Sequence, residues 1–497
     1  MGSSKRLVAF LGFVGVVAAT VTASMTAEAA RPQGPTPASQ NVIVSGGNPY
    51  PATDAGFSAA LASAGTNGVV LIPAGVTLML TSGHSIVTSG LTLRCEPGAL
   101  IQTAVPDADP IEVRASDVAI EECHFQYSSG ATDAVILPNS VSRVHILRNV
   151  FEGYPGGGAN TTLGIGNRTN TSSATAVTDV EVTFNTFLDD CGEVVNIQDY
   201  VLRADVSHNT FTACATPLNN PLINAQNSDN GTVISDLYVV ANQIINAGGG
   251  DCVQVQQLTS LAITNVHVDG NTCQLSTIAG HGNGTGYSTA GVTNGTVTHN
   301  TFDANGQAFA GGNAPFELVN TVNVAETGNA CALGSQARTA ACFTAIAYSG
   351  SLTGNTIAAN QGSFSYTGSS VGPLCMQFYT AGTFPVLARN VVAGNFCDLS
   401  ASTGPVEGIA FQAAAGTISS NYAVANTLAG PGGTLNSGGI ILANDGGALS
   451  LNVVVENQMF GFTYPYSQSV ASPMSIRGLC TSCVDALTVA FVSGHVP

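Results

Sequence analysis

The sequence predicts an all-β chain wound as a parallel β-helix solenoid, with a short helix capping its N-terminal end. Three observations carry this reading: a recurring Asn-x-Phe element, an alternating apolar run ahead of each copy, and cysteines spaced about one repeat apart. The element reads Asn149-Val150-Phe151, Asn185-Thr186-Phe187, Asn209-Thr210-Phe211, Asn242-Gln243-Ile244, Asn271-Thr272-Cys273 and Asn300-Thr301-Phe302. Looser copies begin at Asn329, Asn355, Asn395, Asn421 and Asn457, so successive asparagines lie 36, 24, 33, 29, 29, 29, 26, 40, 26 and 36 residues apart. Such variable spacing with a floor fits coils of fixed strands joined by elastic loops. Runs such as VTDVEVTFN (177–185) and LAITNVHVDGN (261–271) alternate with period two, as a strand with one buried face must. Asparagine accepts left-handed backbone better than other non-glycine residues, which suits a bend, and stacked copies can bond to one another along the axis. A sandwich or propeller would need hairpin turns between adjacent runs, whereas here similar strands recur once per repeat.

The elements follow in order. Residues 1–30 carry Lys5 and Arg6, an apolar run from Leu7 to Val21 and an Ala27-Glu28-Ala29 end, the pattern of a cleavable secretory signal. Residues 31–40 (RPQGPTPASQ) read as a flexible leader. Within 41–100, DAGFSAALASA (54–64) has Phe57 and Leu61 at helical spacing and precedes the apolar run GVVLIPAGVTLML, which together would form the cap and first coils. The β-helix proper is expected over 101–460, and an aromatic, cysteine-bearing tail over 461–497 would close the far end.

Composition narrows the function. Removing Lys5, Arg6 and Glu28 with the signal leaves 10 basic residues, all arginine, against 29 acidic ones, a formal charge of −19. An acidic chain without a basic stripe is a poor partner for nucleic acid or anionic membrane. The expected location is secreted or extracellular, or periplasmic. All twelve cysteines lie beyond the signal, which in an exported chain favours disulfides. Pairing neighbours gives Cys95/Cys123, Cys191/Cys214, Cys252/Cys273 and Cys375/Cys397, each about one coil apart, with Cys331/Cys342 closing a loop and Cys480/Cys483 a very small one. Stacked coils bring such positions within disulfide reach. No histidines show compact ligand spacing, and Cys480-Thr-Ser-Cys483 has neither a second CxxC nor a βαβ context beside it, so no metal ligand is assigned.

The chemistry concentrates in one stretch. Asn227-Ser228-Asp229, then Asp251-Cys252-Val253, then Asn271-Thr272-Cys273, then Gly280-His281-Gly282 occur in order over about 55 residues. This set resembles the polygalacturonase family of glycoside hydrolases, within the pectin-lyase-like superfamily of right-handed parallel β-helices. The resemblance implies the right hand, water activation by Asp229 and Asp251, an acid–base network supported by His281, and a structural Cys252–Cys273 bridge. It is incomplete, because Gly250 stands where the family carries the aspartate usually assigned as general acid, and no lysine remains to grip a uronate. A second fragment, LDDCGEVVNIQD (188–199), adds Asp189 and Asp190, with Glu193 and Asp199 close by; counting coils puts it about two below Asp251, on the order of 10 Å.

Three function classes follow from these residues. One is a secreted enzyme acting on polysaccharide: a hydrolase, since glycoside hydrolysis wants one carboxyl to protonate the leaving oxygen and another to activate water, or a lyase, in which the carboxylates collect calcium and Arg203 serves as or assists the base. The hydrolase needs no cofactor. A second is a non-catalytic glycan-binding rod whose outward Asn196, Gln198, Gln254 and Gln256 meet repeating hydroxyls. The third is an adhesin or structural repeat protein.

Overall fold

The computed structural model describes residues 41–491, apart from 45–46, 106–108, 129–132, 139, 155–160, 167–175, 214–219, 229–232, 248–250, 260, 262, 277–285, 307–313, 337–340, 369–372, 433–436, 469–474 and 482–489. Asp229, His281, Cys214 and Cys483 therefore lie outside the described residues, as does the whole of 1–40; of Cys480 only its strand, Ser475–Thr481, is described.

Two sheets build the wall: a wide one of thirty-four strands and a narrow one of fifteen. Beyond an antiparallel start at Asn41–Val44 the pairing is parallel, and each strand bonds to its counterpart about one coil further along the chain. This is the parallel β-helix that the repeat predicts. In the narrow sheet Val195, Ile223, Val253, Tyr287 and Phe316 occupy one inward column on successive rungs. In the wide sheet Phe125, Phe151, Phe187 and Phe211 do the same, with ring centroids 5.1, 5.1 and 4.7 Å apart. Each is fully buried, and burying a side chain of that size contributes about 2–3 kcal/mol.

The wide sheet bends along a row of buried asparagines. Asn185 Oδ1 accepts from Asn149 N at 2.9 Å and from Asn149 Nδ2 at 3.1 Å, while Asn185 Nδ2 donates to Ile146 O at 2.8 Å. The same pattern repeats through Asn209, Asn242, Asn271, Asn300 and Asn329. The left-handed residue is the one ahead of each asparagine: Arg148, Phe184 and His208 have φ of 53°, 57° and 57°. The expectation that asparagine itself makes the bend is thus corrected. Its carboxamide has to point into the wall to be bonded, so the strain falls on the outward neighbour, at about 1 kcal/mol per residue.

The irregular spacing at the C-terminal end has a simple cause. The first ladder continues Asn329, Asn360, Asn395, Asn426, Asn457, and a second runs Asn355, Asn390, Asn421, Asn452. The looser copies of the motif sampled both rows alternately, which produced the 26 and 40 residue steps.

Four described disulfides have the expected pairing: Cys95–Cys123, Cys252–Cys273, Cys331–Cys342 and Cys375–Cys397, with Cα separations of 4.8, 6.2, 5.8 and 6.1 Å. Cys191 is also disulfide-bonded. Helix Asp54–Ser63 buries Phe57, Ala60 and Leu61 in the common core, and Thr53 Oγ1 accepts from Gly56 N at its start. His84, the first inward residue of the narrow sheet, is held between Asp54 Oδ1 at 2.8 Å and Ser58 Oγ at 2.9 Å, which ties the helix to the first rung. No helix among the described residues is long and apolar enough to cross a membrane.

Candidate functional site

The sequence-predicted residues divide between two faces. Register on the narrow sheet aligns Gly164, Asn196, Asn224, Gln254, Ser288, Glu317, Thr344 and Gln377 in one outward column. Gln198, Gln226 and Gln256 form a second column two residues along each strand. Asn196, Gln198, Gln254 and Gln256 thus share one surface, as the alternation of their strands requires.

Carboxylates flank the first column. Glu193 and Asp251 each stand two residues ahead of an aligned inward valine, Val195 and Val253, two rungs apart. Glu193 accepts from Asn196 Nδ2 at 2.9 Å and from Asn224 Nδ2 at 3.2 Å. Asp251 Oδ2 accepts from Gln254 Nε2 at 3.0 Å. Glu317, in strand Phe316–Val319, is two rungs beyond Gln254 and accepts from Ser288 Oγ at 3.2 Å. Burial, reinforced by the negative charge of Asp251, pushes the Glu317 carboxyl up to about 7, against the opposing bond from Ser288.

Asp190 lies at the corner leading to Val195, two rungs below Asp251, in agreement with the coil count. It is fully buried and accepts from Tyr154 N at 2.9 Å and Thr162 Oγ1 at 3.1 Å. Burial drives its carboxyl well above the usual range, with Asp189 and Glu152 adding to the effect. Asp189 is exposed, with φ of 55°. The residues flanking Asp229, Asn227 and Ser228, stand at the end of strand Ile223–Asn227, the opposite edge of the narrow sheet from Asp251. Ser228 there donates to Asp199 Oδ1 at 2.8 Å. His281 falls in the connection from Thr272–Leu275 to Tyr287–Ala290, the same crossing as Asp251 one coil on.

Arg203 does not join this surface. It projects from the wide sheet, bound to Asp179 with Nη2 to Oδ2 at 2.8 Å, in a column where Asp117, Arg143, Asp179, Arg203 and Asp236 alternate in sign. A groove of about 490 Å³ lined by Arg143, Asp179, Arg203, Asp205 and Tyr238 opens beside it.

Sequence reasoning passed over Glu317 and Asn224. Both could have been found from register: in PFELVN (315–320), Phe316 and Leu318 alternate with an outward Glu317, and counting coils from Gln254 puts it in the same column. Among the described residues no group of three His, Cys, Asp or Glu side chains is arranged to hold a metal ion.

No family model matches the chain, and neither does any curated protein sequence. Among solved structures it is similar to the A-module of the mannuronan C-5 epimerase AlgE6 from Azotobacter vinelandii, at 13% identity and a TM-score of 0.46 over 72% of this chain and 93% of that one. It is also similar to an endo-xylogalacturonan hydrolase from Aspergillus tubingensis, at 12% identity and 0.24 over 88% and 95%, and to a PL6 family alginate lyase, AlyGC, at 8% and 0.23 over 88% and 99%. Likeness at this level adds nothing to the β-helix that strand register establishes, and it carries no argument about activity.

Proposed function

We propose that the chain is an exported glycan-cleaving enzyme whose site is the outward face of the narrow sheet, with Glu317 as general acid and Asp251 as the base that activates water. One observation carries this reading: a mid-strand carboxyl raised to about 7 by burial and by a second carboxylate on the same face. A carboxyl that keeps its proton to neutral pH beside a second carboxyl group is the arrangement that lets one donate and the other accept. Two rungs are about 10 Å along the stack, and Asp251 stands three residues to one side of Glu317's column, so the carboxyls do not abut; that leaves room for a water between them and favours the inverting over the retaining mode of hydrolysis. Asn196, Asn224, Gln254 and Gln256 would hold sugar hydroxyls, and His281, in the neighbouring crossing, would assist. Export is supported by the N-terminal signal pattern and by buried disulfides. In the same reading the helix Asp54–Ser63 is the cover of the N-terminal end.

The test is cleavage of a broad polysaccharide panel by the purified chain. Glu317→Gln is expected to lower kcat by about 10²- to 10⁴-fold. Activity should fall above about pH 7, where Glu317 loses its proton. Asp251→Asn removes the nearby charge, so the Glu317 titration, followed by carboxyl infrared absorption, should move to lower pH. An ultraviolet-absorbing product lost on calcium chelation would replace hydrolysis by elimination. Glycan binding unchanged in both variants, with no cleavage by the native chain, would make the protein a binding rod.

A further inference from the structure

We infer that the site on the narrow sheet takes an uncharged glycan, in contrast to the uronate polymers that the motif resemblance implies. The inference rests on the proposed site and asks which sugar it admits.

From Asn196 to Val319 the two outward columns running past Asp251 and Glu317 carry carboxamides, hydroxyls, aliphatic side chains and a carboxyl, and no arginine or histidine among the described residues. The arginines with ion pairs are committed away from Asp251 and Glu317. Arg143, Arg148 and Arg203 face Asp117, Glu122 and Asp179 on the wide sheet, and Arg114, on the narrow sheet, is bound to Glu112, which stands in the first column five rungs before Gln254. Glu193 and Asp251 place negative charge on this face, and that of Asp251 adds to burial in holding Glu317 in its neutral form. A uronate brings one further negative charge per sugar into that surface. At about 5 Å and an effective dielectric of about 20, each uncompensated contact weakens binding on the order of a hundredfold. Carboxamides carry no net charge and lack that penalty toward neutral sugars: one N–H of Gln254 is held by Asp251, which leaves its second N–H and its oxygen to meet hydroxyls that accept and donate. Asn196 and Asn224 spend their Nδ2 groups on Glu193, and their buried Oδ1 atoms have no partner.

The experiment compares polyuronate oligosaccharides with their carboxyl-reduced counterparts, which keep the backbone and lose the charge. Galacturonan, mannuronan and guluronan fragments and their reduced forms would be titrated calorimetrically into the full chain carrying Glu317→Gln at pH 6. This variant keeps the native charge at that pH, because Glu317 is protonated there. The expected result is binding about a hundredfold tighter for the reduced member of a pair, a gap that narrows as salt screens the repulsion. Gln256→Lys, which adds a cation beside the first column, should close the gap by at least tenfold. Uronate binding as tight as that of its reduced form at low salt overturns the inference; if Glu317→Gln has also abolished cleavage, the site assignment stands. Binding of no pair overturns the inference too. Cleavage by the native chain that persists in Glu317→Gln overturns the site assignment and the inference together.

Discussion

The two halves of the solenoid solve one steric problem differently. From Asp117 and Glu122 onward each coil has two left-handed positions five residues apart, and the residue after each must point inward. Up to Asn323 the first of these is followed by an aliphatic side chain or glycine: Val144, Val180, Ala204, Leu237, Val266, Gly295, Val324. From Gly354 onward it is followed by Asn355, Asn390, Asn421 and Asn452, and the long strands break into pairs of three residues, such as Ser351–Thr353 and Thr356–Ala358. Val324 N donates to Asn355 Oδ1 at 2.8 Å, so the second ladder starts on a valine. The lesson is that a bend tolerates either packing or hydrogen bonding inside it, but a row of carboxamides has to be continuous once begun, because each one completes its neighbour.

At the changeover stands a residue that neither solution uses. Glu326 occupies the inward column between Val297 and Ile357, fully buried, and its Oε1 has no partner. Burial pushes its carboxyl up to about 8.

Breaking a ladder from within should have the largest effect. Asn271→Ala strands the N–H and Nδ2 of Asn242 and the carbonyl of Val239, three buried groups, for a loss of about 4 kcal/mol or more. Thermal unfolding followed by circular dichroism would read it. Replacing Asn355, Asn390, Asn421 and Asn452 together by valine recreates the N-terminal solution, and should cost clearly less than the four single losses added. Equality would show that the two halves are not interchangeable.

Next comes the changeover itself. Folded Glu326 keeps its proton up to about pH 8, whereas the unfolded chain releases it near 4.5, so the folded state binds more protons in that window and stability falls as pH rises through it. The penalty at pH 7 is about 3 kcal/mol. Glu326→Val should return that amount and flatten the decline between pH 4.5 and 8 in denaturant midpoints. The smallest effect is local. Leu451 is exposed with φ of 56° where the equivalent Gly354 carries no penalty, so Leu451→Gly should raise stability by up to about 1 kcal/mol.

The β-helix was legible because it is written in local chemistry repeated along the chain: alternation gives the strands, and the Asn-x-Phe element gives the corner and the stacked rings of Phe151, Phe187 and Phe211. Three of the four described bridges were legible because one coil of sequence equals one rung in space, and the fourth, Cys331–Cys342, because it closes a short loop. The second ladder was not, since Asn355 and Asn360 lie only five residues apart and a search for one asparagine per coil merges them. The site was legible in part. Asp251 and Gln254 were visible through a motif, but Glu317 has no motif and gains its meaning only from register, and Arg203 was drawn into the cluster by closeness in sequence although its strand faces another way.

From Asn149 to Asn300 each carboxamide of the first ladder is oriented alike: its oxygen accepts from the preceding rung, and its nitrogen donates to the oxygen of the next asparagine as well as, at its second hydrogen, to a carbonyl behind. Amide dipoles so arranged add head to tail, as they do in a helix, and each polarises the next. That stretch of wall is therefore electrically vectorial: from Cys123, whose N–H feeds the oxygen of Asn149, to Asn329, its interior carries a directed string of aligned dipoles with unlike poles at its two ends.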